Sequence, residues 1–152
     1  MGETILRFIN EFEKSYTIEL SNELYNRFNL KEYDRNKLKS VLGDSSIVIK
    51  QIIEELNNNT IFFLDGHFSS CNTAKGVKDV PLNDELKIIN DDFNYEALII
   101  IDDLRLFGTN ISEDWSYIAK ENLLDIVGGR LDSYLEINDR LILKINKTVS
   151  LH

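Results

Sequence analysis

Cysteine, proline and tryptophan each occur once in this 152-residue chain, and Lys and Arg together number 17 against 26 Asp and Glu. The single Cys71 cannot close an internal disulfide, so the fold must be held by packing, and a reducing, cytoplasmic setting is the default. The shortage of cations leaves a formal charge of -9. That balance argues against nucleic acid or an anionic membrane surface as partner, because counterion release requires clustered Lys and Arg. No opening apolar stretch has the form of a signal peptide, and none is long enough to span a bilayer. Pro- or Gly-rich linkers, internal repeats and low-complexity tracts are also missing. One domain over 1–152 is expected, and 43% hydrophobic residues suffice for a real core.

What the chain does have is two short apolar runs that end in acid. Ile61-Phe62-Phe63-Leu64 stops at Asp65-Gly66-His67, and Ala97-Leu98-Ile99-Ile100-Ile101 stops at Asp102-Asp103. Continuous apolar runs of this length are too short for helices and read as parallel strands buried on both faces. Ligands of open α/β sheets bind outside the carboxyl ends of such strands, so the acids there are the first functional candidates.

The remaining elements alternate. Ile5, Phe8, Ile9 and Phe12 give Glu3 to Glu13 a helical stripe, and Tyr16 to Leu20 reads as a strand. Ser21 caps a helix from Asn22 to Leu30, and a strand over Leu38 to Leu42 stops at Gly43-Asp44-Ser45-Ser46, a second cap signal. A helix through Leu56, an Asn57-Asn58-Asn59 loop and the strand ending at Asp65 follow. The stretch from Phe68 to Asp79 has no apolar period and reads as a lid-like loop. Pro81 suits the first turn of a helix through Asp92. After the strand Ala97 to Ile101 come a loop, Leu104 to Glu113, and a helix from Asp114 to Ile126. Ser133 to Ile137 and Arg140 to Ile145 pair across Asn138-Asp139 as an antiparallel hairpin. Gly128-Gly129-Arg130 does not stand between strand and helix as a phosphate loop would, and reads as the turn into that hairpin.

Tyr16-Thr17-Ile18-Glu19-Leu20-Ser21, Leu42-Gly43-Asp44-Ser45, Phe63-Leu64-Asp65-Gly66-His67 and Ile101-Asp102-Asp103, in this order and ahead of a terminal hairpin, resemble the class I S-adenosylmethionine-dependent methyltransferases from their second strand to their last. The resemblance implies a Rossmann-like α/β three-layer sandwich, mostly parallel with a C-terminal antiparallel hairpin, and S-adenosylmethionine as cofactor. It places the ribose on Glu19 and the adenine on Asp44 beside Ser45. Asp65 to Phe68 would face the methionine end and the acceptor. A carboxylate accepting two hydrogen bonds from vicinal hydroxyls is a specific way to hold a ribose. The ordinary alternatives are a partly solvated strand-end acid for Glu19 and a helix cap for Asp44.

The family opens with a strand and a Gly-rich turn, whereas Met1-Gly2-Glu3-Thr4 looks like the last residues of that turn, with Gly2 its cofactor-binding candidate. The first strand is missing. In the family it lies between the second and fourth strands, so its loss leaves unpaired backbone groups facing a gap. Those two strands then close on each other, or a partner supplies a strand, or the chain is a shortened version of a longer protein. The last is the expectation, with weak cofactor binding or none.

Asp65 with Asp102 and Asp103 also resembles the cation-dependent O-methyltransferases, in which three oxygen ligands hold a magnesium that binds a vicinal diol and lowers its pKa. Those enzymes usually carry Asn where Asp103 stands, and pairing with Arg105 or Lys75 is the competing role. His67 is the candidate base near neutral pH, against a plain role as a loop hydrogen-bond donor. Asp65, His67 and Asp102 are therefore the catalytic candidates. Lys75 and Lys78 are available to an anionic acceptor or are solvated, and Tyr95, Trp115 and Tyr117 line an acceptor pocket or belong to core and rim. The functional expectation is methyl transfer to the hydroxyl of a small or sugar-like molecule. A non-catalytic binding module, a homodimer or heteromer joined through the gap, is the alternative. A phospho-receiver is a third possibility, since paired acids after an apolar strand occur there, but those acids come early in the chain and precede more βα units than remain after Asp103.

Overall fold

The computed structural model of the chain describes residues 3–65, 80–111 and 113–149. Helix α1 (Glu3–Phe8) leads to strand β1 (Ser15–Glu19), α2 (Asn22–Asn29), β2 (Leu38–Leu42), α3 (Ser45–Glu55) and β3 (Thr60–Leu64). Then follow α4 (Leu82–Asp92), β4 (Ala97–Ile101), α5 (Lys120–Val127), β5 (Leu131–Ile137) and β6 (Arg140–Ile145). The caps fall where expected: Ser21 Oγ accepts from the Leu24 N–H at 3.4 Å, and Asp44 Oδ1 accepts from the Ser46 N–H at 3.0 Å. Gly43, at φ +152°, makes the turn into α3 where a Cβ would come within 2.6 Å of Val48 Cγ1. The helix expected from Asp114 begins only at Lys120. Asp114 binds Ser116 through its side chain and pairs with Asn110 as an isolated bridge, and the Trp115 N–H bonds Thr109 C=O at 2.9 Å, so local bonds outcompete the first helical turn.

The strands form two sheets. β1 and β2 pair in parallel by themselves, and β3, β4, β6 and β5 form a four-stranded sheet in that order, parallel between β3 and β4 and antiparallel across the rest. The hairpin turns on Asn138 and Asp139, both at positive φ, as a two-residue loop with the twist of its strands requires. Among the described residues β1 and β3 do not pair, so the first of the three outcomes above is not found. α3 bridges the two sheets: it touches β1, and its Ile49 and Ile53 join the core under β3 and β4, where Ile18 of β1 also leans.

One face of the four-stranded sheet is covered. Phe62, Leu64, Ala97, Ile99, Ile101, Leu141, Leu143 and Ile145 point into a single core with residues of α3, α4 and α5. No described helix covers the opposite face, where Ile61 is 46%, Phe63 49% and Leu135 54% exposed. Two expectations are corrected here. The β3 run is buried on one face rather than two, and over this sheet the described residues make two layers rather than three, because α2 lies against β1 and β2 and α1 is only six residues long. No described helix is long and apolar enough to cross a membrane.

Candidate functional site

Glu19 closes β1, Asp44 follows β2, Asp65 follows β3 and Asp102 follows β4, so each stands at a carboxyl end. Backbone and side-chain contacts tie these ends together. The Gly43 N–H bonds Glu19 C=O at 3.0 Å, holding the end of β1 beside the residue before Asp44. The Asp102 N–H bonds Leu64 C=O at 3.1 Å, holding the end of β4 beside the residue before Asp65. Between the two pairs stands Glu85 of α4, whose carboxyl lies close to Ser45 and Asp44. Glu85 also lines a cavity of about 10 Å³, near the minimum for one water, with Asp65, Asp102, Leu64, Val80, Leu82, Ile101 and Trp115.

Glu85 was not among the sequence candidates. It is 2% exposed, and its Oε2 has no hydrogen-bond partner. Burial, reinforced by the nearby charges of Asp44 and Asp84, pushes its carboxyl up to about 7, while the Ser45 side chain pulls the other way. A signal was present: Leu82, Glu85, Leu86 and Ile89 share the 3–4 spacing of one helix face, so an acid occupies an apolar stripe.

The candidates differ in what their side chains already do. Glu19 Oε1 accepts from the Ser21 N–H at 2.8 Å, and the carboxylate is half-buried at the strand end. Asp44 Oδ1 accepts from the Ser46 N–H and, at 2.6 Å, from the Ser46 hydroxyl, so its capping role is real. Ser45 lies beside Glu85. Asp102 pairs with Arg140 at 3.1 Å, and Asp103, in a left-handed conformation, pairs with Arg105 at 2.6 Å. Arg105 also bonds Asp139. The magnesium trio of Asp65, Asp102 and Asp103 therefore does not assemble: among the described residues no three His, Cys, Asp or Glu side chains gather as a metal would need. Two of its acids are held by arginines.

Gly2, His67, Lys75 and Lys78 lie outside the described residues. Trp115 belongs to the core and to the cavity wall, its Nε1–H donating to Glu113 at 3.3 Å. Tyr117 is a rim residue: its hydroxyl donates to Val80 C=O at 2.8 Å and accepts from the Val80 N–H at 3.2 Å. Tyr95 precedes β4, at the end of the sheet away from the acids. Arg130 binds Asn90 C=O at 2.6 Å and Tyr95 C=O at 3.0 Å, which makes the Gly128-Gly129-Arg130 turn structural.

Comparison with protein-family models and with curated proteins returns no match. Among solved structures, the chain is similar to a Staphylococcus aureus protein described as a "putative caffeoyl-CoA O-methyltransferase", at a TM-score of 0.51 and 14% identity. The match covers 88% of this chain and 64% of that one. The two share an α/β fold. At this identity the likeness is one of fold, and the chain spans less than two thirds of the neighbour's length.

Proposed function

We propose that the chain is a methyltransferase-like domain that uses S-adenosylmethionine to methylate a hydroxyl of a small or sugar-like molecule. The carrying observation is the chain of contacts from Glu19 through Gly43, Asp44, Ser45 and Glu85 to Asp65 and Asp102, which gathers the ends of β1, β2, β3 and β4 into one neighbourhood. Glu19 fits a ribose, since one oxygen already rests on the Ser21 N–H and the other is available to hydroxyls. Asp44 fits the adenine less directly, because one oxygen is engaged by Ser46. The cofactor would supply an electrophilic methyl group. The residues' part is to align the acceptor in a dry pocket and take its proton, for which Asp65 and His67 are the candidates. No step is assigned to a metal.

The finer reading concerns the gap. Among the described residues β1 is paired only with β2, and β3 only with β4; the family's first strand would fill the slot between their open edges. With the slot open the site lacks a floor, so the chain alone binds S-adenosylmethionine more weakly than micromolar. Titration against Trp115 fluorescence tests both parts. Micromolar saturation that disappears in Glu19→Ala supports the cofactor site and removes the need for a strand. Saturation indifferent to Glu19→Ala overturns the ribose assignment. The apolar face that no described helix covers favours a second reading, a non-catalytic binding module, which wins if no binding appears even with the slot filled.

A further inference from the structure

Magnesium needs oxygen ligands that it can approach to about 2.1 Å, and the acids that follow β4 have their oxygens engaged. Asp102 accepts at both: Oδ1 from the Asp103 N–H at 3.0 Å and Oδ2 from Arg140 Nη2 at 3.1 Å. Asp103 Oδ1 lies 2.6 Å from Arg105 Nη1. The acids sit beneath their partners: Asp102 and Asp103 keep 18% and 15% of their side-chain surface, whereas Arg140 and Arg105 keep 39% and 61%. A cation arriving from solvent over these pairs meets guanidinium groups first. Asp65 reaches the neighbourhood from β3, lining the cavity it shares with Asp102, but it does not complete a set of three.

The hairpin holds both arginines in place. β6 begins at Arg140, and the pairing of Ile101 with Leu141 sets that beginning beside the end of β4. In the turn, Asp139 C=O accepts from the Leu104 N–H at 2.9 Å, its Oδ1 accepts from the Arg105 N–H at 2.8 Å, and its Oδ2 bonds the Arg105 guanidinium. Arg140 Nη1 donates to Asn138 C=O at 3.4 Å. The backbone N–H and guanidinium of Arg105 hold the Asp139 carboxyl below its ordinary value, and Arg140 adds to this. Asp103 stands at φ +61°, in the left-handed region that few non-glycine residues adopt. From there its N–H reaches Asp102 and its side chain reaches Arg105.

We infer that Arg105 and Arg140 take the place of a divalent cation at the end of β4, masking Asp102 and Asp103 from metal. Two guanidinium groups carry the charge of one magnesium ion, and with Asp102, Asp103 and Asp139 they leave one net negative charge, as that ion would. Arginine suits the task because its planar fork bonds two oxygens at once, as Arg105 does with Asp103 and Asp139. The masking is a property of the chain with or without cofactor. For the methyl-transfer reading above, on which this part rests, it means that transfer proceeds without a metal and that the acceptor needs no vicinal diol, since there is no ion to chelate one.

The test titrates Mn²⁺ alone and follows the free ion by its electron paramagnetic resonance signal, so neither cofactor nor acceptor is involved. The unaltered chain is expected to bind no Mn²⁺ below about 1 mM, the weak end of protein cation sites. Arg140→Gln, and more strongly Arg105→Gln with Arg140→Gln, should gain binding, because each guanidinium removed takes a positive charge from beside the ion, an effect on the order of 10-fold in affinity even at the dielectric of water. Arg140→Lys, which keeps the charge, should show no gain, and Asp102→Asn added to Arg140→Gln should abolish it. Micromolar saturation of the unaltered chain that Asp102→Asn removes would overturn the inference. A folded Arg140→Gln chain with unchanged Mn²⁺ affinity would also overturn it and leave the ion pairs as a fastening of the hairpin. Where the double variant unfolds, Arg140→Gln decides, since its side chain is half-buried and Gln keeps part of the stem. The expected Mn²⁺ pattern in a chain that fails to bind S-adenosylmethionine would support the masking and overturn the methyl-transfer reading alone.

Discussion

The two faces of the four-stranded sheet carry side chains of the same kind and meet different fates. On one, Ile99, Leu141 and Leu143 are fully buried under α3, α4 and α5; on the other, Ile100 and Ile142 stay half-buried and Phe63 and Leu135 stand half in water. The apolar content of a strand is thus no guide to its burial. Burial is decided by whether a helix of the chain is placed to cover that face, and three of the described helices pack on one side.

The largest expected effect breaks the comparison if it fails. Leu143→Ala on the covered face should cost roughly 2–5 kcal/mol in urea unfolding, the range for a large core truncation; a cost near zero would mean the two faces are energetically alike. The next sharpens it, because the covered face hides one ionisable flaw. Glu85 has its carboxyl raised from 4.5 to about 7, so the stability tied to its protonated form is complete below pH 4.5 and is lost as pH rises through 7. At about 1.4 kcal/mol per pH unit, that interval sets an upper figure of about 3 kcal/mol. Glu85→Gln should therefore stabilise the protein at pH 8 and leave it nearly unchanged at pH 4.5, and equal unfolding midpoints for both proteins at pH 8 would contradict the burial. Asp44→Ala removes the cap of α3, the helix that serves both sheets, and should lower stability by about 1 kcal/mol, read as a shift in thermal midpoint. The smallest effect belongs to the face that no described helix covers: Leu135→Lys in the chain alone should change stability by no more than about 0.5 kcal/mol.

Much of this arrangement is legible from local signals. Ser21 and Asp44 announce their helices by hydroxyl or carboxylate at the cap, β2 and β4 keep the bounds that the apolar runs mark, and Asn138-Asp139 marks the hairpin. Strand-end acids are legible for the same reason, as a change from apolar to charged residues at the end of a run. The start of α5 is not legible, because Asp114 and Trp115 take bonds to Ser116 and Thr109 that no periodicity reveals. Nor are the partners of the acids. Arg140 and Asp102 are 38 positions apart and meet through the pairing of β4 with β6, and that meeting engages an acid which the sequence offers to a metal. Glu85 escapes notice in a helix whose spacing reads as core, until packing sets it beside Ser45 and Asp65.

By itself the sequence determined the α/β alternation, the caps, the hairpin and the acids at the strand ends, since each depends on residues near in the chain. The tertiary structure alone decided that β1 and β3 stay apart, that the described helices cover one sheet face and not the other, and that a buried Glu85 joins the ends of two sheets. Those outcomes turn on which distant surfaces meet, and the free energy of burial is settled only when they do.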